Sequence, residues 1–352
     1  MSKLIAIIRK NKYFFIIIFK SKKFNLYIMQ NKIIHYCCGS YDIGDCGGVA
    51  RYDYQIKLAF PDRKFFQGPR MKKEMLAYLE KCDNPIVITD NHLSIDIPNK
   101  YPLILVHHGC AKTTALRNPS WGEPWKSLCC NGQDKMLSFR NPKKTNIVSI
   151  SQSCTDDFIK YYGENYLKFK RYSILHPSEL DENLYKKTFN KIPVILGNWG
   201  HIKKGKNIIP KLINTVRFIK FRQLNVRITN GDIEKFNREK QQIYCNSDIF
   251  LQLSNSEGNS YATLDALLCG LVVISSNVGL FYKDVPEDCF VKLDWERLDD
   301  ISYIIKKIIY AIKNKKRLAK NAREWYMKNC RLDDWKTKMH NLVNKFNEEQ
   351  YL

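Results

Sequence analysis

The chain has 352 residues, enough for two domains, and its content of 44% hydrophobic and 12% aromatic residues excludes a disordered or fibrous protein. Its 58 lysines and arginines outnumber 35 acidic residues, which gives a formal net charge of +23. Such a surface favours phosphates, nucleic acid or anionic lipid headgroups, although abundant lysine, asparagine, isoleucine and tyrosine are also what an AT-rich coding sequence produces without selection for a partner.

The first 28 residues alternate apolar and basic stretches, KLIAIIRK, YFFIIIFK and SKKF. The longest apolar run, Tyr13–Phe19, is far shorter than the roughly 20 residues that span a bilayer. No small-residue cleavage site follows, so a signal peptide is not indicated. We expect residues 1–28 to be a dispensable basic extension rather than a segment lying on a membrane, because Met29 comes just before the first candidate strand.

Short apolar or β-branched runs alternate with helical stretches, a pattern typical of parallel sheets covered on both faces. The first series of predicted strands is Lys32–Cys37, Pro85–Thr89, Leu103–His107, Asn146–Ile150 and Tyr172–Leu175. The second series is Pro193–Leu196, Asn225–Ile228, Asp248–Leu253 and Leu271–Ser275. The predicted helices between them include Met71–Lys81, Ser153–Tyr162 and Ile208–Lys220, and the chain from Asp300 onward is predicted to be helical and basic.

Two such series predict two doubly wound domains. The polar stretch SELDEN after Pro177 interrupts the alternation, so we expect the domains to span residues 29–180 and 181–330, with a helical tail at 331–352. The twelve cysteines contain no C-x-x-C pair and no zinc-finger spacing. Adjacent pairs such as Cys37-Cys38 are expected to be reduced, which indicates a cytoplasmic protein without a metal site.

The stretch Ser254–Gly270, SNSEGNSYATLDALLCG, lies between two predicted strands and therefore forms a loop followed by a helix. Gly258 lets the backbone approach a ligand, and the unpaired N–H groups of the first helical turn favour an anion such as a diphosphate. Glu257 and Asp265, eight residues apart, are carboxylates that can accept hydrogen bonds from sugar hydroxyls. An ordinary N-capped helix with surface carboxylates is the alternative interpretation.

This stretch resembles, in register and without a gap, the signature SxxEGFGLTLLEAMACGxPV of the retaining family 4 (group 1) glycosyltransferases. The resemblance implies a GT-B fold, in which two Rossmann-like domains face each other across a cleft, the first on the acceptor side and the second binding the donor. It implies that Glu257 contacts the donor sugar and that Asp265, in place of a glutamate, holds the ribose. Asn259 and Ser260 replace a Phe-Gly pair, so donor preference is expected to differ.

Three further segments resemble the same family in the right order. Residues 47–51, GGVAR, match its glycine-rich N-terminal turn, and residues 174–181 match its segment at the domain junction; a purely structural turn is the alternative for the glycines. Residues 196–205, LGNWGHIKKG, match the family's GRxxxxKG loop. There Lys204 corresponds to the lysine that neutralises the phosphates, whereas Asn198 replaces an arginine.

His107-His108-Gly109 ends a predicted strand of the first domain, where parallel sheets place their ligands. The family often has a histidine near the transferred sugar at this point, and His108 is preferred to His107 and to His201. A histidine hydrogen-bonded within the core is the alternative.

The resemblance therefore implies a metal-independent hexosyltransferase that moves a sugar from a nucleotide-diphosphate sugar, with retention of configuration, to an unknown glycan, lipid or protein acceptor. Beyond this co-substrate no cofactor, metal or nucleic acid is expected, and peripheral association with an anionic membrane is expected from the charge. The predicted catalytic residues are Glu257, His108 and Lys204, and the predicted donor-binding residues are Gly48, Asn198, Lys204, Gly258, Asn259, Ser260, Tyr261 and Asp265. A sugar-nucleotide epimerase or hydrolase on the same scaffold, a basic nucleic-acid-binding protein and an inactive transferase are the alternatives.

Overall fold

The structure, a computed structural model, describes residues 5–10, 13–20, 23–29, 32–41, 47–119, 121–186, 188–226, 228 and 232–351. Three antiparallel strands, β1 (Ile5–Lys10), β2 (Tyr13–Lys20) and β3 (Lys23–Met29), fall within or next to the predicted N-terminal extension and pair in sequence order. Two larger sheets follow, and each has only parallel pairings between its strands.

The first domain is built on a six-stranded parallel sheet of order β5-β4-β6-β7-β8-β9. Its strands are β4 (Lys32–Cys37), β5 (Lys64–Gln67), β6 (Pro85–Asp90), β7 (Leu103–His107), β8 (Thr145–Ser149) and β9 (Lys170–Ser173). Its helices are α1 (Gly48–Ala59), α2 (Lys72–Glu80), α3 (Ala111–Arg117), α4 (Trp125–Phe139), α5 (Gln152–Tyr162) and α6 (Glu164–Leu167). Every residue of β6, β7 and β8 is buried, because helices cover both faces of the sheet.

The second domain is built on a five-stranded parallel sheet of order β11-β10-β12-β13-β14. Its strands are β10 (Val194–Gly197), β11 (Lys220–Gln223), β12 (Ile249–Gln252), β13 (Val272–Ser276) and β14 (Val291–Leu293). Its helices are α7 (Ile209–Thr215), α8 (Ile233–Cys245), α9 (Tyr261–Leu268), α10 (Leu280–Lys283), α11 (Ile301–Lys313) and α12 (Lys315–Asn329). The prediction of two doubly wound α/β domains is confirmed.

The C-terminal helix α13 (Leu332–Tyr351) is present as predicted, but it packs on the first domain. Trp335, Met339 and Phe346 of α13 are buried in one hydrophobic cluster with Tyr52 and Ile56 of α1. The chain therefore returns to the first domain after completing the second, and it crosses between the two domains twice.

Two predicted elements of the second domain are wrong. The strand expected at Asn225–Ile228 lies earlier, at β11, and residues 224–226 and 228 have no regular structure. The helix expected at Ile208–Lys220 ends at Thr215, although Leu212, Val216 and Ile219 follow helical spacing, because the chain leaves the helix at Val216 to enter β11. The short edge strands β5 and β14 were not predicted, since neither has a long apolar run.

Within the described part of the chain, no helix combines the length and the apolar character needed to cross a membrane. The eleven cysteines in these ranges are all free thiols, and six of them are buried.

Candidate functional site

The loop between β12 and α9 carries the Glu257 signature and lies against the first domain. It leaves the carboxyl end of a central strand of the second sheet, where α/β folds place ligands. Ser151 donates a hydrogen bond to the Gly258 carbonyl (2.6 Å), and the Asn259 amide donates to the Ile150 carbonyl (3.1 Å). Each bond joins the second domain to the carboxyl end of the first sheet, so the predicted loop forms the interface between the domains.

Gly258 makes the closest approach of this loop to the first domain. A Cβ atom at this position would overlap the carbonyl oxygen of His108, so only glycine allows the two backbones to meet as they do. The backbone of Gly258 also lies beside Gly109, the residue after His108. The close approach expected from this glycine is therefore made to the first domain in the structure.

Glu257 and Lys204 form an ion pair at this interface, with 3.3 Å between Lys204 Nζ and Glu257 Oε1. Ser254 donates a hydrogen bond of 2.8 Å to the same carboxylate oxygen. Burial opposes ionisation of Glu257, but the positive charges of Lys204 and Lys203 hold its pKa below the ordinary value. The side chains of Glu257 and Lys204 keep 13% and 26% exposure, so both reach solvent and are available to a ligand.

Lys204 ends a short 3₁₀ helix, Ile202–Lys204, that follows the carboxyl end of β10. Gly205 continues it with a φ of +91°, a conformation that favours glycine, and a Cβ there would press on Leu253. Asn198, Lys204 and Ser260 all line a cavity of about 10 Å³, so three predicted donor residues share one surface. A larger cavity of about 130 Å³ lies nearby, lined by Thr114, Asn118, Trp121, His201 and Lys203.

Asp265 lies in the second turn of α9 and is buried in a network of charges that crosses the domain boundary. Arg51 of α1 donates two hydrogen bonds of 2.9 Å to its two carboxylate oxygens, and Ser178 donates a third of 2.6 Å. Lys240 Nζ of α8 lies 3.5 Å from Asp265, and Arg51 also donates to Glu179 at 2.7 Å. The network thus joins two cations and two carboxylates.

The ionisation of this network follows from its pairing. Burial alone would favour the neutral carboxyl groups, but Arg51 and Lys240 hold the pKa values of both Asp265 and Glu179 below their ordinary range. All four groups are almost completely buried, so each charge depends on its partners for stabilisation. Asp265 therefore acts in this arrangement as a contact between the domains.

Tyr261, the first residue of α9, packs between the same elements. Its ring stacks on His176 at a centroid distance of 4.7 Å, and the Arg51 guanidinium lies 4.3 Å from the ring centre. Its hydroxyl donates to Gln55 Oε1 of α1 at 2.9 Å. A Cβ on Gly48 would lie 3.7 Å from the Tyr261 ring, so the glycine turn that begins α1 lies over this side chain.

The two adjacent histidines after β7 have different surroundings. His107 is fully buried and stacks on Phe158 at 3.9 Å, and burial lowers its pKa to about 3, so it is a neutral core residue. His108 lies at the interface, with its Nε2 atom 2.8 Å from Asp90 Oδ1 and its ring edge-on to Tyr52 at 4.9 Å. The His108 ring thus contacts Asp90 and Tyr52, whereas its backbone carbonyl is the group that meets Gly258 of the second domain.

The structure brings the predicted residues to one interface, in two groups. Asn198 and Ser260 lie beside the partly exposed ion pair of Glu257 and Lys204, while Asp265 and Tyr261 lie in the buried charge network. Further residues that contact the predicted ones are Arg51, Asp90, His176, Glu179 and Lys240, which sequence reasoning did not select. Arg51, His176 and Glu179 lie inside the quoted motif segments, whereas nothing in the sequence marks Asp90 or Lys240.

No protein-family model matches the sequence, and no curated protein is recognisably similar to it in sequence. Solved structures do match its fold. A sucrose-phosphate synthase from Thermosynechococcus elongatus superposes with a TM-score of 0.70 and 13% identity, covering 90% of this chain and 99% of the other. Anabaena HepE in complex with UDP-glucose gives 0.66 and 14%, covering 90% and 100%.

WaaG, a glycosyltransferase involved in lipopolysaccharide biosynthesis, superposes with a TM-score of 0.59 and 13% identity, covering 88% of this chain and 99% of the other. At such identities the likeness establishes the fold, and it extends over nearly the full length of each neighbour. The chain therefore has the GT-B fold, with two Rossmann-like domains that face each other, as its sequence predicts.

Proposed function

We propose that this protein is a glycosyltransferase that moves a hexosyl group from a nucleotide-diphosphate sugar to an acceptor, with retention of anomeric configuration. The observation that carries the proposal is the partly exposed ion pair of Lys204 and Glu257, which lies beside the start of α9. The next residue, Gly258, meets the His108 carbonyl across the domain boundary. The titles of solved neighbours with the same fold name UDP-glucose as a bound ligand and glycosyltransferase as an activity, which supports the proposal.

The second domain supplies the proposed donor site. Breaking the bond between sugar and diphosphate increases negative charge on the leaving group, and groups aimed at that charge lower the barrier. Lys204 and the unpaired N–H groups at Ser260 and Tyr261 are placed to stabilise it, the helix N-terminus adding its dipole. Because these groups supply the positive potential, we propose that transfer needs no metal ion at the diphosphate.

Glu257 is proposed to accept hydrogen bonds from the hydroxyls of the donor sugar. Its lowered pKa keeps it ionised, and its partial exposure leaves room for a ligand. The Gly258 carbonyl and the Asn259 amide are engaged by Ser151 and Ile150, so we propose that donor binding releases them to the sugar. Asn198 contributes an amide on the side of the diphosphate. His108, anchored by Asp90, is proposed to contact the transferred sugar from the first domain, which supplies the acceptor side. Gly48 is proposed to approach the donor from the same domain, where it lies over the Tyr261 ring.

Asp265 is proposed to hold the ribose, with one requirement set by its surroundings. Its oxygens already accept from Arg51 and Ser178 and lie near Lys240, so a ribose hydroxyl must displace one of these partners. Ligand sites for molecules of this size commonly enclose about 300–1,000 Å³. The cavities of about 10 and 130 Å³ beside the donor residues are smaller, so donor binding is proposed to part the interface and to separate Arg51 from Asp265.

The test is a panel of UDP-, GDP-, ADP- and TDP-sugars added to the purified protein in a thermal-shift measurement. A ligand that binds only the folded state raises the melting temperature, and we expect one nucleotide to do so. The sugar-nucleotide that binds is then incubated with candidate glycan, lipid and protein acceptors, and the anomeric configuration of the product is read by NMR.

The outcomes separate the alternatives. Nucleotide release that depends on an acceptor supports transfer, whereas free nucleotide with free or epimerised sugar in the absence of acceptor indicates a hydrolase or epimerase. Donor binding without turnover on any acceptor indicates an inactive transferase. No shift with any nucleotide sugar, together with nucleic-acid binding that falls steeply with salt, would contradict the proposal in favour of a nucleic-acid-binding protein.

A further inference from the structure

We propose that His35, Cys37 and Asp90 of the first domain form a zinc site. This proposal does not rest on the proposed transfer reaction, because zinc binding needs no donor sugar, although Asp90 also lies 2.8 Å from His108. One nitrogen, one sulfur and one carboxylate oxygen from these three side chains all lie within 4.8 Å of one another. The mixture of imidazole, thiolate and carboxylate is one that zinc accepts, whereas magnesium and calcium prefer oxygen ligands alone.

The sheet itself brings the three ligands together. His35 and Cys37 are two residues apart on β4, so their side chains point to the same face of the sheet. Tyr36 of β4 is paired with Thr89 of the neighbouring strand β6, and this register places Asp90 beside Cys37. All three side chains are buried, with exposures of 0%, 0% and 3%, so neither a flexible loop nor a surface rearrangement is needed to assemble the site.

One ring nitrogen of His35 is free of partners in the described part of the chain. Its Nδ1 atom lies 2.9 Å from Asp53 Oδ1, so that nitrogen is already paired with a carboxylate. Among the described residues Nε2 has no hydrogen-bond partner. Carboxylate–histidine pairs of this kind commonly orient histidine ligands of zinc.

A second buried atom at the cluster is also without a partner. The Oδ2 atom of Asp90 makes no hydrogen bond to any described residue. Buried polar atoms without partners are rare and call for an unseen group. A zinc ion would bind the imidazole nitrogen and the carboxylate directly, with a water molecule as its fourth ligand.

Charge and geometry both allow the ion. A Zn²⁺ ion bound by the Cys37 thiolate and the Asp90 carboxylate forms a neutral unit, which avoids an uncompensated charge in the core. Zinc–ligand bonds of about 2.0–2.3 Å place tetrahedral ligand atoms roughly 3.5 Å apart. The ligand atoms now lie within 4.8 Å of one another, so they need to approach by about 1 Å to bind the ion. The Cys37 thiol donates to the Gly39 carbonyl at 3.2 Å, and zinc binding would release this proton to solvent.

The experiment is measurement of metal content in the full-length protein. Protein purified without a metal-affinity tag, treated with chelator and then incubated with Zn²⁺ is expected to retain close to one zinc per chain after gel filtration, as measured by mass spectrometry. The variants His35→Gln and Cys37→Ser should each lose this zinc. Cys110→Ser removes another buried thiol of the same domain outside the cluster and should retain it.

A second measurement uses the wild-type protein alone and so does not depend on the folding of variants. Titration of the chelator-treated, metal-free protein with Co²⁺ should produce the near-ultraviolet charge-transfer band of a cobalt–thiolate bond, with saturation at one equivalent. The absence of a stoichiometric metal and of this band would overturn the proposal. Retention of zinc by His35→Gln and Cys37→Ser would overturn it as well, because the metal would then lie elsewhere.

Discussion

Arg51 and Asp265 are 214 residues apart in the chain and face each other across the domain boundary, joined by two parallel hydrogen bonds of 2.9 Å. The pair is buried, and Glu179 and Lys240 complete a neutral cluster around it. Removal of one member of a buried ion pair leaves the others uncompensated, which makes the pair important for the closed arrangement of the domains.

The first prediction concerns this pair. Asp265→Ala should destabilise the protein by about 3–5 kcal/mol, because Arg51 and Lys240 would be left with Glu179 as their one carboxylate partner in the cluster and one buried positive charge would be uncompensated. Urea unfolding measures the effect. The double variant Arg51→Met with Asp265→Ala should recover part of the loss, and a double variant whose loss equals the sum of the two single losses would show that the contact contributes no coupling.

Glu257 and Lys204 should behave differently from Asp265, because their side chains reach solvent and form no buried network. We expect Lys204→Ala and Glu257→Gln to lower the rate of sugar transfer by about 10²–10³ while leaving the melting temperature nearly unchanged. Lys206→Ala is the matched control, since Lys206 is an exposed lysine of the same loop. Wild-type turnover in Lys204→Ala or Glu257→Gln would show that the ion pair is not the donor site.

Gly258 controls how closely the domains meet. In Gly258→Ala the new methyl group would overlap the His108 carbonyl and hold the loop away from the first domain. We expect a larger radius of gyration in small-angle X-ray scattering and a loss of transfer of about 100-fold, because the reacting groups are displaced. Gly122→Ala, where a Cβ meets no atom within 4 Å, is the control. An unchanged radius and rate in Gly258→Ala would contradict the prediction.

Asp284 predicts a pH dependence of stability. Burial raises the pKa of Asp284 to about 6. The backbone N–H of Gln152, in the first domain, donates a hydrogen bond of 3.0 Å to the carboxylate, but this bond offsets the effect of burial only in part. Since the folded state holds this proton more tightly than the unfolded chain, stability from Asp284 is present at low pH and is lost as the pH rises from about 4 to about 6.

The variant Asp284→Asn keeps an acceptor for Gln152 without the charge. It should be more stable than the wild type by on the order of 2 kcal/mol at about pH 7.5, and the gap in melting temperature should shrink as the pH approaches about 4. A gap that stays constant with pH, or that grows in acid, would show that ionisation of Asp284 is not its cause.

The basic helices near the C-terminus give a prediction for membranes. Lys313, Lys316 and Lys320 lie on α11 and α12, and their exposure allows them to meet anionic headgroups. We expect the protein to float with vesicles that contain phosphatidylserine and to release in high salt, and we expect replacement of the three lysines by glutamate to weaken flotation. Equal flotation with neutral vesicles would contradict an electrostatic association.

Much of the fold could be predicted from the sequence because its central strands are self-contained signals. The sequence predicts Lys32–Cys37 and Leu103–His107 with their observed bounds, because a short apolar run of this length is typical of a buried strand. The loop and helix at Ser254–Gly270 were predicted for the same reason, with the loop between two apolar strands. The edge strands β5 and β11 are short and partly exposed, so their residue pattern does not differ enough from that of a loop to predict a strand.

The site divides in the same way. The sequence by itself determined which residues form the loop at Glu257 and the lysine loop at Lys204, because each follows its own strand. Only the tertiary structure decided that Asp265 meets Arg51, that α13 packs against α1, and that His35, Cys37 and Asp90 converge on one face of a sheet. Spacing along a chain records which face of one helix or strand is buried, whereas the identity of a distant partner depends on how whole elements pack, and no local pattern encodes it.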